Sequence, residues 1–480
     1  MTVPHEFESF ELCPADYGFP MFYAGCSISF RLSNPEQGLV ILRNAIARLV
    51  SHLAFLNGRV EPSGRKVGVM EVRPPVQGDL KSDICIIQYL SHLRLPHKMD
   101  SSARDKFGEY DRNAELIMAP VHIAASPTDH PVMRFQINVL ADGIVAALFV
   151  NHMVIDGTGI GILLESLAAC CNGADSLACS IECEVNTRRN CLGSVGRDNA
   201  CDSPGCGEIL SSSSLQSAPG TGHEEVHDSS LLDYNFFIPN AKVEQLRQCI
   251  QSLSPGFVSE DDIVTAILWT CLGQFRSHRL SAEGQSASAC MLQRVVNVRR
   301  RLCPRVAPHY LGNCFIMLNE TMTVADLGDK GPLESEIDEQ AFARQLAPIA
   351  RLLRSRLDTV DDRLVRDYLS QLSTADDWAN TSVHEPDIAV TSIRRLGVYG
   401  EGFGPVLGNV VDFEMLPYMN PEGVCTIKPR RGGDDDTWEV GVTLRREDMD
   451  RLRNNAKWRW LVNRESPLRI FEAIKCSVTT

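Results

Sequence analysis

No stretch of this 480-residue chain approaches the ~18 uninterrupted apolar residues of a membrane-spanning helix. The opening Met-Thr-Val-Pro-His-Glu-Phe-Glu lacks the basic region and apolar core of a secretion signal. The closing Cys476-Ser-Val-Thr-Thr480 lacks a peroxisomal Ser-Lys-Leu ending and is one residue too long for a prenylation box. A soluble, cytoplasmic protein without a membrane span is expected. Positive charge is also short: 61 acids against 47 bases give a net charge of −14. Nucleic acid is therefore not expected as a partner, because duplex binding relies on a basic footprint. The cysteines at 170, 171, 179, 183, 191, 201 and 206 contain no Cys-x-x-Cys pair, so no metal site is expected. The total of 17 is odd, and Cys249, Cys271 and Cys290 sit in apolar segments, which points to free thiols in a reducing compartment.

With 44% hydrophobic residues, the chain is long enough for two cores of ordinary size. Asn34 or Ser33 can cap a helix starting at Pro35, whose apolar stripe runs from Leu39 to Val50. Ile160–Ala169 reads as a second core helix. From Cys170 to Ser230 the composition turns to Ser, Gly, Asn, Asp and Cys, with breakers at Ser211–Ser214 and Ala218–Gly222. Loops of this length are uncommon inside compact domains. The expected organisation is an N-terminal lobe over 1–169, a flexible crossover over 170–230 and a C-terminal lobe over 231–480. In the last of these, Tyr234–Ile238, Met291–Asn297, Ile388–Ile393 and Trp438–Leu444 read as strands. Asn240–Ser252, a Ser259-capped segment to about Arg276, and Arg446–Arg453 read as helices. Strands and helices mingle without strict alternation, a mixed α/β (α+β) pattern.

The most informative stretch is Val145-Ala-Ala-Leu-Phe-Val-Asn-His-Met-Val-Ile-Asp-Gly-Thr-Gly159. Six residues without a polar side chain suit a strand covered on both faces, and Gly157 and Gly159 allow a sharp turn into a helix. His152 then sits where buried scaffold meets open space, where an imidazole can take a proton from a hydroxyl or amine near neutral pH. A packed structural histidine is the competing interpretation, and His-x-x-x-Asp spacing alone does not decide between them.

The block His152-Met153-Val154-Ile155-Asp156-Gly157 resembles the signature of the BAHD-type acyl-CoA-dependent acyltransferases, in particular their fungal, trichothecene-acetyltransferase-like branch. Other segments resemble the family in its own order: Phe55–Val60, Pro131–Ile144, Val258–Ile263 with Trp269, Asn297–Pro304, and Tyr310–Asn313. The similarity spans about residues 55 to 408. It implies two chloramphenicol-acetyltransferase-like lobes and a monomer. It also implies acyl-CoA as co-substrate with no permanently bound cofactor; the negative net charge leaves room for the local basic patch that coenzyme A needs. A small-molecule acceptor is the other partner.

The resemblance further implies that His152 is the general base, while Asp156 faces away from the pocket and pairs with Arg299 to hold the turn. Among Arg299, Arg300, Arg301 and Arg305, at most one or two should point inward. The block Val390–Gly408 is similar to the family's Thr-Ser-Trp strand and Asp-Phe-Gly-x-Gly loop, with three departures: Ile393 at the Trp position, Gly402 at the Asp position and Val406 at the final Gly. In the family this loop is structural and remote from the reacting atoms, so the resemblance implies a structural motif at Gly402, Phe403 and Gly404. Isoleucine offers no donor to an oxyanion, so Thr391 becomes the oxyanion candidate, and Glu401 is a candidate substitute for the missing aspartate.

The expected function is transfer of an acyl group, acetyl first of all, from acyl-CoA to a hydroxyl of a small natural product of secondary metabolism. Two alternatives remain at this point. Condensation-type domains share the core motif but carry a second histidine where this chain has Asn151. A degenerate relative that binds or folds a substrate would fit the changes at Ile393 and Gly402.

Overall fold

In a computed structural model the described residues are 7–18, 21–65, 67–75, 84–95, 130–193, 231–253, 255–282, 289–327, 337–374, 386–415, 420–431 and 437–470. The first half contains β1 (Phe10–Glu11), β2 (Tyr23–Arg31), α1 (Pro35–His52), β3 (Arg59–Pro62), β4 (Met70–Arg73) and β5 (Cys85–Leu90). It continues with β6 (Met133–Leu140), β7 (Gly143–Asn151), α2 (Gly157–Cys171) and α3 (Ile181–Thr187). The second half opens with β8 (Leu231–Pro239), α4 (Asn240–Leu253), α5 (Glu260–Ala282), β9 (Ala289–Asn297), β10 (Phe315–Thr323), α6 (Glu339–Asp358) and α7 (Asp362–Thr374). It closes with β11 (Ile388–Ser392), α8 (Gly404–Leu407), β12 (Asp412–Met415), β13 (Val424–Ile427), β14 (Thr437–Arg445), α9 (Arg446–Asn454), α10 (Ala456–Leu461) and β15 (Arg464–Ile470).

The motif strand β7 is buried along its whole length, as its unbroken apolar run requires. It lies third in a five-stranded sheet of order β12-β2-β7-β6-β5, antiparallel to both β2 and β6. Helix α1 starts where Asn34 accepts the Gln37 N–H, as its sequence suggests, and packs with α2 in the first core.

The second sheet has seven strands in the order β10-β9-β11-β13-β14-β8-β15. Period-2 alternation gives it two unlike faces. Trp438, Val440, Val442 and Leu444 of β14, with Leu232, Tyr234, Phe236 and Ile238 of β8, join the second core with residues of α4, α5, α6 and α9. The intervening Asp233, Asn235, Glu439 and Thr443 are just as buried but polar. This polar face is turned toward the first half: Asn235 donates to Glu414 of β12 at 2.8 Å, and Lys428 bridges Glu414 and Glu439.

Helix α5 is longer than its sequence pattern indicates, reaching Ala282 rather than about Arg276. Its first-turn acids serve more than the helix dipole, because Asp261 and Asp262 take Arg294 at 2.7 and 2.8 Å, and Asp262 also takes Arg354.

Two observations modify the expected division into lobes. Strand β12, from residues 412–415, adds to the first sheet beside β2, so that sheet is built from both halves of the chain. Within the expected crossover, α3 and a π-helical turn over Arg188–Leu192 are ordered against the first half, with Glu184 and Arg188 at 0% and 2% exposure. The remainder of that crossover, 194–230, lies outside the described residues.

Candidate active site

The turn that carries His152 is built by its neighbours. Strand β7 ends at Asn151, whose side chain accepts the Met153 N–H at 3.1 Å and whose carbonyl accepts Val154 and Ile155. Asp156 then caps α2 by accepting the Gly159 N–H at 2.8 Å. Neither Gly157 nor Gly159 has a positive φ, so the turn does not need glycine for its backbone angles. Gly159 is required for a different reason: a Cβ there would fall 2.0 Å from the Leu311 carbonyl oxygen of the second half. At Gly157 a Cβ would stand 3.4 Å from the Ile393 methyl, which places the departed Trp position directly against the motif.

His152 lies between two aromatic rings. Phe22 stacks on it at 4.7 Å and 28°, and Phe315 meets it edge-on at 6.2 Å. Its backbone N–H donates to Phe22 O at 2.9 Å. Burial holds the imidazole below its ordinary pKa of 6.5, although the Asp156 charge pulls the other way. At neutral pH the ring is therefore uncharged and able to accept a proton.

Asp156 is saturated. Its Oδ1 receives Gly159 N and Arg299 Nη2, and its Oδ2 receives Arg299 Nη1 and Cys314 N, all within 3.1 Å. Arg299 also donates to the carbonyls of Tyr310 and Gly312. Burial works against the Arg299 charge, but the Asp156 carboxylate outweighs it and raises the guanidinium pKa. Of the neighbouring arginines, Arg300 and Arg305 are exposed, while Arg301 is half-buried against the Val360 carbonyl.

On β11, Ser392 bonds Asp261 of α5, so Thr391 occupies the opposite, polar face. There it is the first of a cross-sheet row, Thr391, Thr426, Gly441 and Asn235. Thr391 and Ile393 share that face, and Ile393 touches the motif.

Gly402, Phe403 and Gly404 lie elsewhere. Gly402 O accepts Asn172 just beyond the C-terminus of α2, and Phe403 is fully buried against Phe30 at 4.9 Å. A 15-residue helix is about 22 Å long, and α2 separates this loop from the motif turn at its other end. Positive φ occurs at Gly404 (+90°) and Gly408 (+68°), not at Gly402. Among the described residues Glu401 has no arginine partner. It adds instead to the effect of burial in raising the Glu165 pKa.

Residues that the sequence did not single out complete the surroundings: Phe22, Phe315, Asp16, Glu184 and Arg188. The last two are an i,i+4 acid–base pair inside a polar segment, a faint signal that elsewhere marks an exposed helix. Among the described residues no group of His, Cys, Asp and Glu suits a metal ion, and no helix is long and apolar enough to cross a membrane.

Residues 106–458, most of the chain, match the Transferase family. The chain belongs to that family. This is the BAHD-type, acyl-CoA-dependent O-acyltransferase group that the motifs resemble. The O-acetyltransferase cpsE of Aspergillus campestris is 31% identical over 98% of this chain and 99% of its own. The communesin N16 acyltransferase cnsK of Penicillium expansum is 29% identical over 91% and 94%. In structure, the TRI101 protein of F. sporotrichioides, solved with coenzyme A and T-2, superposes with a TM-score of 0.71 at 20% identity, covering 96% of this chain and 100% of that one. The Transferase-family fold is thus the mixed α/β architecture described above, and the reaction is acyl-CoA-dependent acyl transfer.

Proposed function

We propose that the chain transfers an acetyl group from acetyl-CoA to a hydroxyl of a small fungal natural product, with His152 as general base. The observation that carries this is the His152 imidazole at the end of a fully buried strand, flanked by two rings and set on a turn held by Asn151 and Asp156. In the reaction, His152 takes the acceptor hydroxyl proton as its oxygen attacks the thioester carbonyl carbon. The carbon–sulfur bond breaks, the proton returns from the imidazolium to the departing thiolate, and ester and free coenzyme A leave. No covalent acyl-enzyme is needed. Thr391 Oγ1, on the face that carries Ile393 to the motif, is assigned the oxyanion contact. Asp156 and Arg299 orient the turn and take no proton, since every Asp156 lone-pair direction already has a donor.

Asn151 stands where condensation-type domains carry their second histidine, and its side chain serves the turn by accepting Met153. The changes at Gly402 lie at the far end of α2, which favours an active enzyme over a degenerate one. The same reading takes the chain as a cytoplasmic monomer, with an N-terminal lobe over 1–169 and a C-terminal lobe over 231–480 that lends Leu311 and residues from Ile393 to Phe413 to the first core. The test incubates purified protein with acetyl-CoA and longer acyl-CoAs against hydroxylated fungal metabolites, followed by mass spectrometry. A product heavier by one acetyl unit is expected. Absence of product with every donor, together with no calorimetric binding of acetyl-CoA or coenzyme A, would sink the proposal.

A further inference from the structure

We propose that Arg188, joined to Asn313 through Asp16, is a second positioning device for the His152 imidazole, separate from the Asp156–Arg299 pair; this rests on His152 being the base. Beyond β7 the carbonyls of the motif turn no longer belong to a strand ladder, and buried carbonyls need donors from elsewhere. Asn313 Nδ2 donates to His152 O at 2.9 Å, and Arg188 Nη2 donates to Val154 O at 2.7 Å. The two donors are tied together. Asp16 Oδ1 accepts the same Asn313 Nδ2 at 3.0 Å, while Asp16 Oδ2 accepts Arg188 Nε at 3.3 Å and Cys13 N at 2.9 Å.

Arg188 uses each of its three nitrogens on a different partner, the third being Glu184 Oε2 at 2.8 Å. Glu184 Oε1 in turn accepts Leu311 N at 2.6 Å, which anchors the loop that carries Asn313. A lysine cannot reproduce this planar fork. The approach of the loop to Arg188 is also tight, because a Cβ on Gly312 would fall 2.4 Å from Arg188 Nη2 and 2.2 Å from the Tyr310 hydroxyl oxygen. The Asp156–Arg299 pair fixes the downstream end of the turn. The Arg188–Asp16–Asn313 frame fixes its middle and its start, including the peptide of His152 itself, so a shift there rotates the Cα–Cβ bond that aims the ring. The segment over 181–192, which its composition marks as linker, is thereby part of the active-site frame.

The test uses full-length Asn313→Ala, Arg188→Lys and Arg188→Ala proteins with acetyl-CoA as probe, following thiol release to water. Losing the hydrogen-bond partners that orient a working side chain typically costs about 10–100-fold. We expect kcat to fall in that range with KM for acetyl-CoA held within about threefold, and guanidinium chloride to restore part of the rate to Arg188→Ala alone. Carbethoxylation of His152 by diethyl pyrocarbonate, read by mass spectrometry, needs no turnover and should change rate in all folded variants. If Arg188→Ala fails to fold, the milder Asn313→Ala decides. Folded variants with kcat within threefold of the parent and an unchanged His152 modification rate overturn the positioning role. A parent protein that neither releases thiol nor binds acetyl-CoA would count against the proposed acyl transfer, while the modification rates would still report on the frame.

Discussion

Arg299 grips Asp156 by both carboxylate oxygens, at 2.8 and 2.9 Å, and so bolts the motif turn of the first half to the loop after β9 in the second. Both side chains are under one-tenth exposed. Removing one partner leaves the other charged and buried, which typically costs about 3–5 kcal/mol. Asp156→Ala should therefore lose soluble yield and denaturant midpoint together with activity. A variant with parental stability and no turnover would reassign Asp156 to the chemistry.

His152→Ala should behave in the opposite way, keeping the fold and losing turnover by ~10²–10⁴. The pH dependence follows from the burial-depressed pKa. The free imidazole is the active form, so kcat/KM should rise with pH through a value below 6.5 and stay flat above it. Stability follows the same sign: the unfolded chain takes up this proton first, so native stability falls as pH drops from about 6.5 toward the lower folded value. A rate limb centred above 7 would contradict the assignment.

At the loop beyond α2, restoring the family residue should achieve little. A Cβ on Gly402 meets only Asn409 Oδ1, at 3.9 Å, and φ there is not positive. Gly402→Asp is expected to shift stability by less than about 0.5–1 kcal/mol without raising turnover. Gly404→Ala, at φ +90°, should cost about 1–2 kcal/mol in thermal unfolding through backbone strain. A large gain in acyl transfer from Gly402→Asp would mark the natural chain as catalytically weakened.

Between the sheets, Glu414 shares the Lys428 ammonium with Glu439, and burial raises its pKa to about 7. A carboxyl raised in the folded state stabilises below the unfolded value near 4.5 and loses that contribution as pH rises through about 7. Glu414→Gln keeps an acceptor for Asn235 and leaves Lys428 paired with Glu439. It should be close to neutral at pH 6 and relatively stabilising, by about 1–2 kcal/mol, at pH 8. Equal melting shifts at both pH values would refute this.

The motif strand, its turn and the following helix were legible because each has a local signature: an apolar run, a cap and a 3.6-residue period. The strands β8, β9, β11 and β14 and the helices α4, α5 and α9 were found for the same reason. The meaning of particular glycines was not. Gly159 reads as a turn residue, yet its constraint comes from Leu311, a neighbour only after both halves have folded together.

From its own pattern the sequence determined the placement of His152 at the end of a buried strand and the mixed α/β class, and its resemblance to known acyltransferases supplied the family motif. Tertiary structure alone decided that β12 would leave the second half to join the first sheet, and that Glu184 and Arg188 would turn inward. It also brought Asp16 and Asn313, 297 residues apart, to one hydrogen bond beneath the His152 turn. The physical reason is range. Periodicity and capping act within a few residues, whereas Arg188 and Glu184 stay buried because Asp16, Val154 and Leu311, from distant segments, complete their hydrogen bonds.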